Sequence, residues 1–160
     1  MKHENIFQKV RKLIDERELD DANLETARDE LFELVENDSE CAWAYGLLSE
    51  INYWFGEYAS EADDKLAFFE EGVECGKTGI EIDENSVEAN FWLAVNYGAF
   101  GQEKGIMQSL TLIQPIKAQA EKAIFTAARG AFSAEFITKL RGFRFPSAAR
   151  KKPSNVWKKP

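Results

Sequence analysis

The groups to weigh first for catalysis are one histidine, two cysteines and 28 carboxylates in a chain of 160 residues. Acid–base, nucleophilic or metal chemistry needs such groups to converge on one point. His3 lies at the N-terminus, where chains fray, and is not expected to act. Cys41 and Cys75 are 34 residues apart, show no CxxC or other ligand spacing, and have no histidine close to them in sequence. Both read as small buried residues in a reducing compartment, which makes a cytoplasmic location the expectation. Asp20-Asp21, Asp63-Asp64 and Glu70-Glu71 pair carboxylates. Adjacent helical positions point in different directions, so these pairs read as solvated faces. Asp83-x-Asn85 lacks the remaining spacing of a calcium loop. The chain is expected not to be an enzyme and to hold no catalytic residue, cofactor or metal.

Aromatic side chains are the better lead. Trp43, Trp54, Phe55, Phe68, Phe69, Phe91, Trp92 and Phe100 exceed what small helix pairs need to fill a core. Phe55, Trp92 and Phe100 are expected inside. The others are available for binding, where buried aromatics carry most of the energy.

The elements that must position them follow from composition and periodicity. With 44% hydrophobic and 30% charged residues, the chain reads as one soluble globular domain. No apolar run is long enough to span a membrane. The first residues, Met1-Lys2-His3-Glu4-Asn5, open an amphipathic segment and show no secretory signal. Ile6, Phe7, Val10, Leu13 and Ile14 form a first helical stripe. Further helices are expected over about 22–37, 40–56, 61–82, 87–100 and 108–124. Turn signals separate them at Asp20-Asp21, Asn37-Asp38-Ser39 and Asp83-Glu84-Asn85-Ser86. Gly56 and Gly101 are expected to end the third and fifth helices, and Ser60 to cap the fourth. Pro115 should kink the sixth helix or mark its start. Gly72, Gly76 and Gly79 share one face of the fourth helix, each costing about 1 kcal/mol there relative to alanine. Close approach of a neighbouring helix is the natural compensation. A phosphate loop would need a preceding strand and a following Lys-Ser/Thr, and has neither.

Residues 44–56 recur in degraded form at 89–101, at a constant offset of 45. Ala44-x2-Leu47-Leu48-Ser49 and Phe55-Gly56 line up with Ala89-x2-Trp92-Leu93-Ala94 and Phe100-Gly101. Self-similarity at such a period marks stacked helix pairs. The expected fold class is all-α, a solenoid of about three stacked antiparallel helix pairs.

The repeated residues resemble the tetratricopeptide (TPR) repeat, whose first helix shows W-x2-L-G-x2-Y. Leu93-Ala94-x2-Tyr97 matches that pattern well and Leu48-Ser49-x2-Asn52 more weakly. The small-residue places of the second helices fall on Ala27 and Leu34, on Gly72 and Gly79, and on Ala123. Each unit carries about 10 more residues between its helices than an ordinary TPR, around 57–66 and 102–112. That elongation, together with Phe91-Trp92-Leu93-Ala94-x-Asn96-Tyr97-Gly98-x-Phe100-Gly101, resembles the TatT family. Those proteins are associated with tripartite solute transporters, and in them the resemblance implies a periplasmic lipoprotein. This chain shows no signal or lipobox cysteine.

The TPR resemblance implies a concave groove along the first helix of each pair. Its places fall on Trp43, Gly46, Glu50 and Tyr53, and on Glu88, Phe91, Val95 and Gly98. The expected partner-binding residues are Trp43, Glu50, Tyr53, Phe91 and Val95. An aromatic groove with a carboxylate at its edge suits a peptide or protein partner, or an apolar small molecule. The segment Ile106-Met107-x2-Leu110-x-Leu112-Ile113 adds apolar surface for a pocket or a subunit contact.

The charge is uneven. Residues 1–125 carry 11 Lys+Arg against 27 Asp+Glu, and residues 126–160 carry 9 against the single Glu135. The TatT-like pattern stops after Ala123-Ile124. A one-base offset beyond that point can be written with a Gly-rich turn, a Leu-Gly-x2-Tyr element and a new amphipathic helix. The reading is therefore a helical repeat domain over 1–124 and an out-of-frame basic tail over 125–160. A nucleic-acid arm is disfavoured, because the acidic body repels phosphate within a Debye length of about 10 Å. Two function classes follow. The first is an interaction module for a peptide or protein. The second is a hydrophobic small-molecule carrier or transporter accessory, with a truncated, nonfunctional product as a further outcome. Loss of a capping helix exposes the last apolar face, so reduced stability, or self-association into a homo-oligomer through the 108–124 helix, is expected.

Overall fold

Polar turns recur between amphipathic stretches, and the chain folds back at each of them. A computed structural model describes residues 3–126. It contains α1 (Glu4–Asp15), α2 (Ala22–Asn37), α3 (Ala42–Tyr58), α4 (Ala62–Ile82), α5 (Val87–Lys104) and α6 (Ile106–Thr126). No strand occurs among the described residues. Asp20 and Asp83 accept backbone N–H bonds from Ala22 and Asn85, both at 2.9 Å, and so close the expected turns. Ser86 caps α5 through Ala89 N–H at 3.4 Å. Short connections lay each helix beside its predecessor. The tightest is Gly105 alone, whose φ of 98° only glycine adopts easily.

Three terminus expectations are corrected. Gly56 does not end α3, which runs on to Tyr58; the glycine lets the Phe69 ring lie against the helix. Gly101 is buried inside α5, which ends three residues later, at Lys104. Glu61, not Ser60, stands at the start of α4 and makes no side-chain cap. At Gly56 helix–helix packing outweighs the local stop signal. Pro115 lies inside α6.

The centre of the molecule is the mutual packing of α3, α4 and α5, with α1 on α2, α2 on α3, and α6 on α5. Gly72, Gly76 and Gly79 all face α5. Added Cβ atoms there would meet Asn96, Leu93 and Ala89 at 2.5, 2.8 and 2.7 Å. The glycines thus let two backbones approach, as their spacing predicts. The approach brings polar groups together in a buried network. Asn96 Nδ2 donates to Ser49 O at 2.9 Å and to Ser49 Oγ at 3.1 Å, while Ser49 Oγ donates to Gly72 O at 2.7 Å. Three helices are therefore held in one register.

The recurring segments occupy α3 and α5 and are buried at matching places. Ala44 and Ala89, Leu47 and Trp92, Leu48 and Leu93, and Ser49 and Ala94 are all at most 5% exposed. One apolar cluster joins Val10, Ile14, Leu24, Leu31, Leu47, Leu48, Ile51 and Phe55 from α1, α2 and α3. A second joins Tyr53, Phe69, Trp92, Val95 and Ala99. The frame change expected after Ile124 and the basic tail lie outside the described residues, except that Phe125 and Thr126 continue α6.

Candidate functional site

Tyr53 and Trp54 on α3 meet Trp92 on α5, with ring centroids 5.6 and 6.3 Å apart. Phe91 adds an edge contact to Trp92 at 5.0 Å. Toward the N-terminus, Trp43 receives the edge of Phe7 from α1 at 5.2 Å. The expected aromatic positions on α3 and α5 thus fall into two groups, Trp43 with Phe7, and Tyr53 and Phe91 with Trp54 and Trp92.

Their exposure departs from the expectation. Glu50, Tyr53 and Val95 are buried, at 4%, 1% and 2% exposure, and only Trp43 and Phe91 of the five remain half-exposed. The physical reason is that two arginines of the N-terminal segment already lie on this side. Arg11 Nη2 donates to Glu50 Oε2 at 2.6 Å. Arg17, in the turn after α1, sets its guanidinium 3.7 Å from the centre of the Trp54 ring. Tyr53 and Val95 are meanwhile drawn into the second apolar cluster. Gly46, also placed in the groove, is a packing contact: a Cβ there would lie 2.5 Å from Glu88 Cβ and 2.6 Å from Ala89 N.

The electrostatics centre on Arg11, Glu50 and Glu88. Burial alone would lower Arg11, but the charge and hydrogen bond of Glu50, with Asp15 and Glu88, raise it above its ordinary value. Burial pushes Glu88 up to about 7, Arg11 opposes the rise, and Glu50 adds to it. Glu88 is 2% exposed, and among the described residues its Oε1 accepts no hydrogen bond. An ionised carboxylate so placed is costly unless a cation or a proton satisfies it.

His3 is not loose, as its position suggested; its Nε2 lies 2.9 Å from Asp38 Oδ2. Cys41 is buried and Cys75 half-buried. Burial, followed by the charge of Glu71, pushes the Cys75 thiol up to about 12, which leaves it a poor nucleophile. Among the described residues no group of His, Cys, Asp or Glu is arranged to hold a metal. Nor is any helix there long and apolar enough to cross a membrane. Sequence reasoning missed Arg11 and Arg17 as groove residues, and their signal was slight: two basic positions in a strongly acidic body.

No curated protein and no solved structure matches the chain significantly. A family model described as Regulator of microtubule dynamics protein 1-3 matches residues 6–134, a span that includes α1 from Ile6 and the whole of α2 to α6. That match covers well over half of the chain, and the protein accordingly belongs to the Regulator of microtubule dynamics protein 1-3 family.

Proposed function

We propose that the protein is a non-enzymatic helical-repeat interaction module, TPR-like in ground plan and resembling TatT. It holds a peptide or protein partner against the side of α3 and α5 that carries Trp43 and Phe91. The observation that carries this reading is the aromatic group Tyr53, Trp54, Trp92 and Phe91 between α3 and α5, with the pair Trp43 and Phe7 nearer the start of α3. Half-exposed aromatics beside buried ones are the usual make-up of a binding hot spot. Matching burial of the recurring segments in α3 and α5 supports the repeat plan. The family's name supports a partner among proteins that act on microtubule dynamics. A cytoplasmic setting belongs to the same proposal, on the cysteine usage.

The carrier and transporter-accessory reading rests on residues 106–113, whose side chains lie outside the described ones. One pair of experiments separates the two. Affinity capture from cell extract should recover a partner that is lost on Trp43→Ala plus Phe91→Ala while circular dichroism stays helical. Native mass spectrometry of the purified protein should show the bare chain; a co-purified small apolar molecule displaces the module reading in favour of the carrier.

A further inference from the structure

The stretches Glu50-Ile51-Asn52-Tyr53-Trp54 and Glu88-Ala89-Asn90-Phe91-Trp92 share the pattern Glu-x-Asn-aromatic-Trp, 38 residues apart. That offset is 7 short of the 45-residue repeat, close to two helical turns, so the pattern occupies the same face of its helix in both copies. In both, the asparagine is turned onto its own helix: Asn52 Nδ2 donates to Leu48 O at 3.2 Å and Asn90 Nδ2 to Ser86 O at 2.7 Å. What differs is the glutamate. Glu50 accepts Arg11 at 2.6 Å and Trp54 Nε1 at 3.5 Å, while Arg17 sits on the Trp54 ring. The first copy is thus satisfied by two arginines of the chain's own N-terminal segment. Glu88 receives no arginine hydrogen bond among the described residues: it is 2% exposed, its own backbone N–H and the charge of Arg11 act on it, and its Oε1 accepts nothing there.

We propose that Glu88 is a recognition position for an arginine or lysine side chain of a protein partner lying along α3 and α5, an inference that rests on the groove reading above. The arginine contacts of the first copy show which chemistry the pattern accepts. Half-exposed Phe91, backed by buried Trp92, supplies a ring against which a guanidinium stem packs. Arg11 on α1 and Glu50 on α3 are the charged groups that act on Glu88. In the free protein a proton relieves the buried carboxylate near neutrality, and in the complex the partner's cation does so. Binding therefore releases a proton, and affinity rises as pH rises through neutrality.

A fluorescent peptide with the sequence of residues 3–20 serves as probe, because it carries both Arg11 and Arg17 in the register that the first copy accepts. Titrated by anisotropy against the full chain, it should bind more tightly at higher pH. Glu88→Gln should weaken it about tenfold and flatten the pH dependence. A peptide with Arg11→Gln and Arg17→Gln should bind the unaltered protein as weakly. Loss of binding on Phe91→Ala with Glu88→Gln unchanged keeps the groove and overturns the role of Glu88. If the peptide does not bind, methylguanidinium chloride decides by carbon-13 NMR of the Glu88 carboxyl. A titration midpoint lowered relative to equal sodium chloride supports the position, and an unchanged midpoint means that only a proton occupies it.

Discussion

The seam between α3 and α5 and the seam between α1 and α3 use opposite physics on the same helix. Where α5 meets α3, Gly46 brings backbone within contact of Glu88 and Ala89, and Asn96 bonds directly to Ser49. Where α1 meets α3, long side chains span the distance: Arg11 to Glu50, Phe7 to Trp43, and His3 to Asp38 beyond the end of α2. Close seams tolerate almost no added volume, whereas spanned seams depend on charge and ring edges. The first kind fixes register, and the second can be rearranged by a competing cation.

The largest effect should come from the spanned seam. Arg11→Met leaves Glu50 buried without its hydrogen-bonded cation and is expected to cost about 4 kcal/mol in urea unfolding. Replacing Glu50 by leucine in the same chain should recover much of that loss, since a buried pair exchanged for apolar groups is near neutral. Without such recovery, the seam would rest on packing and the contrast would collapse.

Glu88 sharpens the comparison through pH. Its folded value of about 7 lies above the unfolded 4.5, so the folded state binds the proton more tightly. The resulting stabilisation is fully present below the unfolded value and is lost as pH rises through the folded one; its size is roughly 3 kcal/mol. Glu88→Gln should therefore match the unaltered protein near about pH 4, exceed it near about pH 8, and flatten that part of the stability profile.

At the close seam, Gly46→Ala should cost about 2 kcal/mol even after the gain in helix propensity, because the new methyl meets Ala89 backbone. The unfolding midpoint checks this; an unchanged midpoint would mean that α5 can retreat from α3 freely. The smallest effect is expected at Ser86→Ala, about 1 kcal/mol, from loss of the α5 cap that starts this seam.

The six helices and most of their turns were legible, because apolar stripes and turn residues act locally. The three glycines of α4 were legible for the same reason: three exceptions on one face imply a neighbour. The ends at Gly56 and Gly101 were misread because a stop signal and a packing glycine are the same residue in sequence. In the site, the TPR resemblance placed Trp43, Tyr53 and Phe91 on the third and fifth helices, which are α3 and α5. Their unequal exposure was not foreseen, since burial of Glu50 and Tyr53 depends on which partners reach them from other elements.

The chain alone determined an all-helical plan, with α3 and α5 as related elements and an aromatic, acidic character on them. These follow from periodicity and composition, which are properties of short stretches. Tertiary structure alone decided that Asn96 bonds to Ser49, that Arg11 serves Glu50, and that Glu88 is left as a buried carboxylate with an unoccupied oxygen. The two bonds join residues 47 and 39 positions apart in a low-dielectric interior, where the sign and size of an interaction depend on geometry that no local pattern encodes.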